Sequence, residues 1–115
     1  MENIIKVIDR LMSAKIHQAK QYTIIKGKFI DTGHKFPVSI SVSELLTTDL
    51  YRQDVRIIFK GLEELGYISD IMVLGYNLDW KSAILRSTEI NYRFQLTLNK
   101  KKLEFYKALL RISYN

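Results

Sequence analysis

Apolar residues return every three to four positions at the start of this chain: Ile4, Ile5, Ile8, Leu11, Met12, Ile16 and Ala19. That spacing predicts an amphipathic helix over residues 3–20, with Lys6, Arg10 and Lys20 off the stripe. The next stretch, 22–30 (YTIIKGKFI), is β-branched and aromatic; Lys26-Gly27-Lys28 at its centre is either a tight turn or a bulge within a strand. Residues 31–37 (DTGHKFP) read as a loop, so 21–37 forms an insertion ahead of a short strand marked by Val38, Ile40 and Val42.

Ser41-Val42-Ser43-Glu44 has the form of a capping box, with Ile40 and Leu45 placed as a hydrophobic staple. A short helix over 42–48 follows, and Thr47-Thr48-Asp49 supplies turn and N-cap residues. The regular stripe Tyr51, Val55, Ile58, Phe59, Leu62 and Leu65 predicts a third helix over 50–65, closed by Gly66 in a left-handed cap. Residues 67–76 have strand composition, and 77–88 (NLDWKSAILRST) form either a long hairpin loop or one short helical turn. From 89 to 98, Ile90, Tyr92, Phe94, Leu96 and Leu98 alternate with Asn91, Arg93, Gln95 and Thr97, the period of a half-buried strand. Asn99 then caps a last helix over 100–112 with two apolar sides, Leu103/Tyr106/Leu110 and Phe105/Leu109/Ile112. The second side is either a partner surface, for which another copy of the chain is the simplest occupant, or the mark of a helix wedged across the core.

The order helix, strand, short helix, long helix, strand, loop, strand, helix resembles the winged helix-turn-helix. The residues that carry the likeness are the helix opening at 41–46, the turn Thr47-Thr48-Asp49, the helix 50–65 and its ending Glu63-Glu64-Leu65-Gly66-Tyr67-Ile68. The resemblance spans roughly residues 38–98 with a first helix in the expected place. It implies an α+β winged-helix domain over 1–115: a three-helix core, a small antiparallel sheet with wing strands 67–76 and 89–98, and an added C-terminal helix. The insertion at 21–37 and the long, partly apolar segment at 77–88, with Trp80, Ile84 and Leu85, both exceed the simple pattern.

Length and charge narrow the function. A chain of 115 residues is one domain by size, and 47% hydrophobic residues suffice for one core. The absence of cysteine excludes disulfides, a thiolate zinc site and a cysteine nucleophile. Charged residues interrupt the first 22 positions, so no secretory leader is expected there, no run is apolar enough for a membrane span, and the default is a cytoplasmic protein. A net charge of +6 and a pI near 9.6 point to a polyanionic partner or to solubility alone.

On the third helix, Arg52, Gln53, Arg56 and Lys60 lie away from the apolar stripe, where Arg and Gln suit base edges and Lys suits phosphate. Lys81 and Arg86 in the wing, with Lys26, Lys28 and Lys35, are candidate backbone contacts. The competing reading of each is a solvated surface charge. Lys100-Lys101-Lys102 opens the last helix against its dipole, which hints at another use for that charge. Tyr92 and Phe94 are core residues or, less simply, a stacking platform for single strands. His17 and His34 lack metal-ligand spacing, no phosphate loop or nucleophile motif occurs, and the carboxylates are scattered. The sequence therefore predicts a non-enzymatic DNA-binding protein, a small transcriptional regulator or replication accessory, without cofactor, metal or small-molecule ligand. A homodimer through the first and last helices is expected, with Phe105, Leu109 and Ile112 at the interface. The alternative is a protein–protein adaptor or inhibitor on the same scaffold, using the last helix and an apolar wing.

Overall fold

The computed structural model describes residues 2–16, 35–46 and 50–114. The fold is α+β: the described residues form five helices and a four-stranded antiparallel sheet in the order β1-β2-β4-β3. Helix α1 (Glu2–Met12) turns Val7, Ile8 and Leu11 fully into the core. It stops well short of residue 20. After Ser13 and Ala14 close its last turn, Lys15–Ile16 leave as β1 and pair with Ser39 and Val38. Ile16, which continues the helical spacing, is exposed instead, while Ala19, His17, His34, Lys26 and Lys28 lie outside the described residues.

Strand β2 (Phe36–Ser41) begins two residues before its alternating apolar positions and takes in Pro37, which lies beyond the stretch paired with β1. Its register on β4 (Arg93–Leu98) sets Phe36 opposite Leu98, Val38 opposite Leu96 and Ile40 opposite Phe94, one row of apolar pairs on the inner face. Residues 89–92, expected to begin this strand, run irregularly into it; Val42 N–H bonds the carbonyl of Tyr92, and Asn91 bonds both the N–H and the hydroxyl of Ser43.

Helix α2 (Val42–Leu45) starts with the capping box in place. Ser41 Oγ accepts from Glu44 N–H at 3.2 Å, and Glu44 Oε2 accepts from Ser41 N–H at 3.4 Å. The turn at 47–49 lies outside the described residues. Helix α3 (Arg52–Glu64) has Tyr51 as its N-cap, without a side-chain cap bond. It buries Val55, Phe59 and Leu62, but the outer ends of the expected stripe, Tyr51 and Leu65, are exposed because they sit at or beyond the helix ends. Gly66, at φ 74°, closes it: Gly66 N–H bonds Glu63 C=O and Tyr67 N–H bonds Leu62 C=O, the paired bonds of a Schellman motif.

Strand β3 (Ile68–Val73) pairs with β4 and slips register between Ser69 and Met72. One extra residue sits on β3 there, and Asp70 adopts φ 54°, the left-handed conformation of a β-bulge. A turn at Gly75 leads not into an extended wing but into helix α4 (Trp80–Arg86). Asp79 caps α4, accepting from Ser82 N–H at 2.8 Å, and that backbone bond outweighs desolvation and holds its carboxyl below the ordinary carboxylate range, with Ser82 Oγ and Lys81 adding to the lowering. Trp80, Ala83 and Ile84 are buried against the body of the protein. The i, i+3, i+4 spacing of these three makes one buried helical face, which a solvated hairpin cannot use.

Helix α5 (Lys100–Tyr114) begins at Asn99, whose Oδ1 accepts from Lys102 N–H and whose own N–H bonds the carbonyl of Tyr67. It buries Leu103 and Leu110, rests Tyr106 on Tyr67, and ties to α1 through Lys107 and Asp9. No described helix is long and apolar enough to cross a membrane.

Candidate nucleic-acid interface

The site is built on α3 and α4. Two contacts fix how these helices lie against each other. Trp80, the first residue of α4, packs on Phe59 in the latter half of α3 with ring centroids 5.6 Å apart. Ser87, just past the end of α4, accepts from Arg52 Nε at the start of α3, at 3.2 Å. The two helices therefore run antiparallel. Phe59 also touches Phe94 at 6.2 Å, so an aromatic stack locks both helices to the sheet.

At 100° per residue, the face of α3 opposite Val55, Phe59 and Leu62 holds Gln53, Ile57, Lys60 and Glu64, all exposed. Arg52 and Arg56, one turn apart, occupy the adjoining flank and are half-buried. Arg52 is thus not simply outward: Ser87 Oγ, itself donating to the Ile84 carbonyl at 3.0 Å, holds its guanidinium. That bond uses Nε and leaves the terminal nitrogens available as a donor pair. Lys81 and Arg86 are exposed on α4, beside α3 rather than at the tip of an extended wing, and Lys81 Nζ lies 5.7 Å from the Trp80 ring centroid. Because α4 is antiparallel to α3, Arg86 falls near the Arg52 end and Lys81 near the Phe59–Lys60 end.

Ion pairs among the described residues join Arg93 to Glu44 and Lys107 to Asp9. None neutralises Arg52, Arg56, Lys60, Lys81 or Arg86. Glu64 stands at the far end of the outer face of α3 and Glu63 at the far end of the Arg52–Arg56 flank, Asp54 lies on the other flank, and Asp79 is exposed beside Lys81 at the start of α4. Lys35 is exposed but precedes β2, on a different element.

Two residues of the site were not singled out by the sequence. Ile57 is 58% exposed in the middle of the polar face, and its signal was its place outside the i, i+3, i+4 stripe of α3. Ser87 orients Arg52 across 35 positions of chain, and no local pattern marks it. The adaptor reading loses its apolar wing, since Trp80 and Ile84 are core residues and only Leu85 of that trio is exposed. Tyr92 and Phe94 are buried too, which leaves no stacking platform on them. No protein-family model, curated protein or solved structure matches this chain.

Proposed function

We propose that this protein binds duplex DNA by laying α3 in the major groove, on a winged-helix-like scaffold whose wing carries a helix. The observation that supports this reading is a cationic surface shared by α3 and α4: five Lys and Arg side chains without ion-pair partners among the described residues, around an outer face whose acids are confined to its far end. Gln53 and Arg56 suit adenine and guanine edges, and Ile57, on the same outer face as Gln53, suits a thymine methyl group. Lys60, Lys81 and Arg86 flank that strip on two antiparallel helices, spaced to meet phosphates. Arg52, held at Nε by Ser87, has less rotamer freedom to lose on binding. The helix order and the α2–α3 pair follow the helix-turn-helix resemblance and add support of a coarser kind.

The test is fluorescence anisotropy on a labelled duplex across a salt series. Each phosphate contact removed lowers the slope of log K against log salt by about 0.9. Lys60→Ala, Lys81→Ala and Arg86→Ala are expected to do this singly, while Gln53→Ala and Arg56→Ala change preference among sequences. All five positions lie outside the core, so the thermal melt of each variant should match the parent. Binding that is undetectable at low salt, or unaltered in an Arg56→Ala/Lys60→Ala double variant, overturns the proposal.

A further inference from the structure

Helix α5 has a side that no other described element uses. Leu103 and Leu110 face inward and Lys107 is pinned to Asp9, but Phe105 is 67% exposed, Leu109 44% and Ile112 73%. These three fall at i, i+4 and i+7, a straight apolar stripe on a rigid 15-residue helix, with small Ala108 beside it. Helix α1, by contrast, spends its own apolar side on the core. Three large apolar side chains in one row form a contact face rather than scattered exposure.

The charges around the stripe indicate what covers it. Lys101 and Lys102 stand exposed where the stripe begins, in the first turn of α5, where cations oppose the helix's own dipole. Their neighbour Lys100 has a partner within the chain, lying 4.2 Å from the Phe36 ring centroid. A second α5 running the opposite way would bring its last-turn carbonyls, with their negative partial charge, beside Lys101 and Lys102. A second α5 running the same way would set lysine against lysine. A membrane surface fits less well, because a helix lying on lipid wants cations along both flanks. Lys101 and Lys102 flank the stripe only at its N-terminal end; alongside Phe105–Leu109–Ile112 the flanking positions are Glu104, Tyr106, Ala108 and Ser113, none of them a cation.

We infer that the protein forms a two-fold dimer through antiparallel α5 helices, with Leu109 at the axis and Phe105 packed against the partner's Ile112. Ala108 lets the two backbones approach near the axis. The pairing is isologous, so each copy gives and receives the same contacts. It does not involve α3, so dimerisation and DNA binding stand or fall separately.

The cysteine-free chain makes the geometry directly testable. In the antiparallel register, Phe105 of one copy sits seven residues, about 10 Å, along the helix from Phe105 of the other, too far for a disulfide. Under mild oxidation, Leu109→Cys should cross-link to itself. Phe105→Cys mixed with Ile112→Cys should cross-link to each other, and neither should do so alone. Light scattering should give twice the 13.5 kDa chain mass for the parent and the single mass for Leu109→Glu, with unchanged melts. One helix pair is at the small end of interface sizes, so the measurement runs to about 100 μM chain. A parent that stays at 13.5 kDa throughout overturns the inference. So does self-linking of Phe105→Cys as fast as the mixed pair, which means parallel helices. So does a monomeric parent that co-floats with phosphatidylserine vesicles and is released by Leu109→Glu, which means a lipid surface.

Discussion

Replacing Trp80 by alanine should cost this protein a large part of its stability, although the residue lies in a segment that the sequence left open between a loop and one helical turn. Trp80 is 7% exposed, packs on Phe59 at 5.6 Å, and through Phe59 reaches Phe94 at 6.2 Å. Truncating a tryptophan in such a stack loses its transfer free energy and leaves a cavity between α3, α4 and β4, about 4 kcal/mol together. At about 2.1 cal/mol/K per residue, a 115-residue chain has an unfolding entropy near 0.24 kcal/mol/K. The melting temperature should then fall by about 17 °C, against a total stability of about 5–15 kcal/mol. Circular dichroism melts measure this, and Leu85→Ala on the exposed side of the same helix should move the midpoint by no more than about 2 °C. Trp80 is the sole tryptophan, so its emission in the parent should be blue-shifted when folded and shift red in the same transition. A Trp80→Ala midpoint within a few degrees of the parent would refute the packing of α4 on α3, and with it the placement of Lys81 and Arg86 beside the α3 face.

Two further outcomes follow from single positions. Gly66 sits at φ 74° with nothing within 4 Å of where a Cβ would stand, so Gly66→Ala pays only backbone strain, about 1 kcal/mol and about 4 °C in the melt, and Gly66→Asn less. Asp79 has a folded-state pKa below its ordinary value, led by the Ser82 backbone bond, so its contribution is whole at neutral pH and is lost as pH falls through the folded value. Asp79→Asn should therefore flatten the acid limb of a stability–pH profile below about pH 4, and an unchanged limb would show that the cap is not ionised in the folded chain.

Much of this fold was written in local patterns. The Ser41/Glu44 box, the Gly66 cap and the alternation of Tyr92, Phe94, Leu96 and Leu98 each need only a few neighbouring residues, and each appears where its spacing puts it. What local pattern could not supply was tertiary. Ile16 and Ala19 extend the α1 spacing, yet Lys15 and Ile16 gain backbone partners in Ser39 and Val38, which lie more than 20 positions away. Segment 77–88 carries its own signal, an Asp79 cap followed by Trp80, Ala83 and Ile84 at helical spacing, but it is too short for that spacing alone to separate one helical turn from a loop. The same holds for the site. Gln53 and Lys60 sit outward as the wheel of α3 requires, whereas the flank position of Arg52 depends on Ser87, a residue that only folding brings near.

The bulge at Asp70 bears on how this chain behaves when concentrated. β3 is the outermost strand on one side of the sheet, and an outermost strand offers unpaired amide and carbonyl groups to any passing chain. The left-handed kink splits its six residues into a Ile68–Ser69 piece and a Met72–Val73 piece, neither long enough to template a stable ladder. The chain thus has, in one misaligned residue, a built-in guard against polymerising through its own sheet.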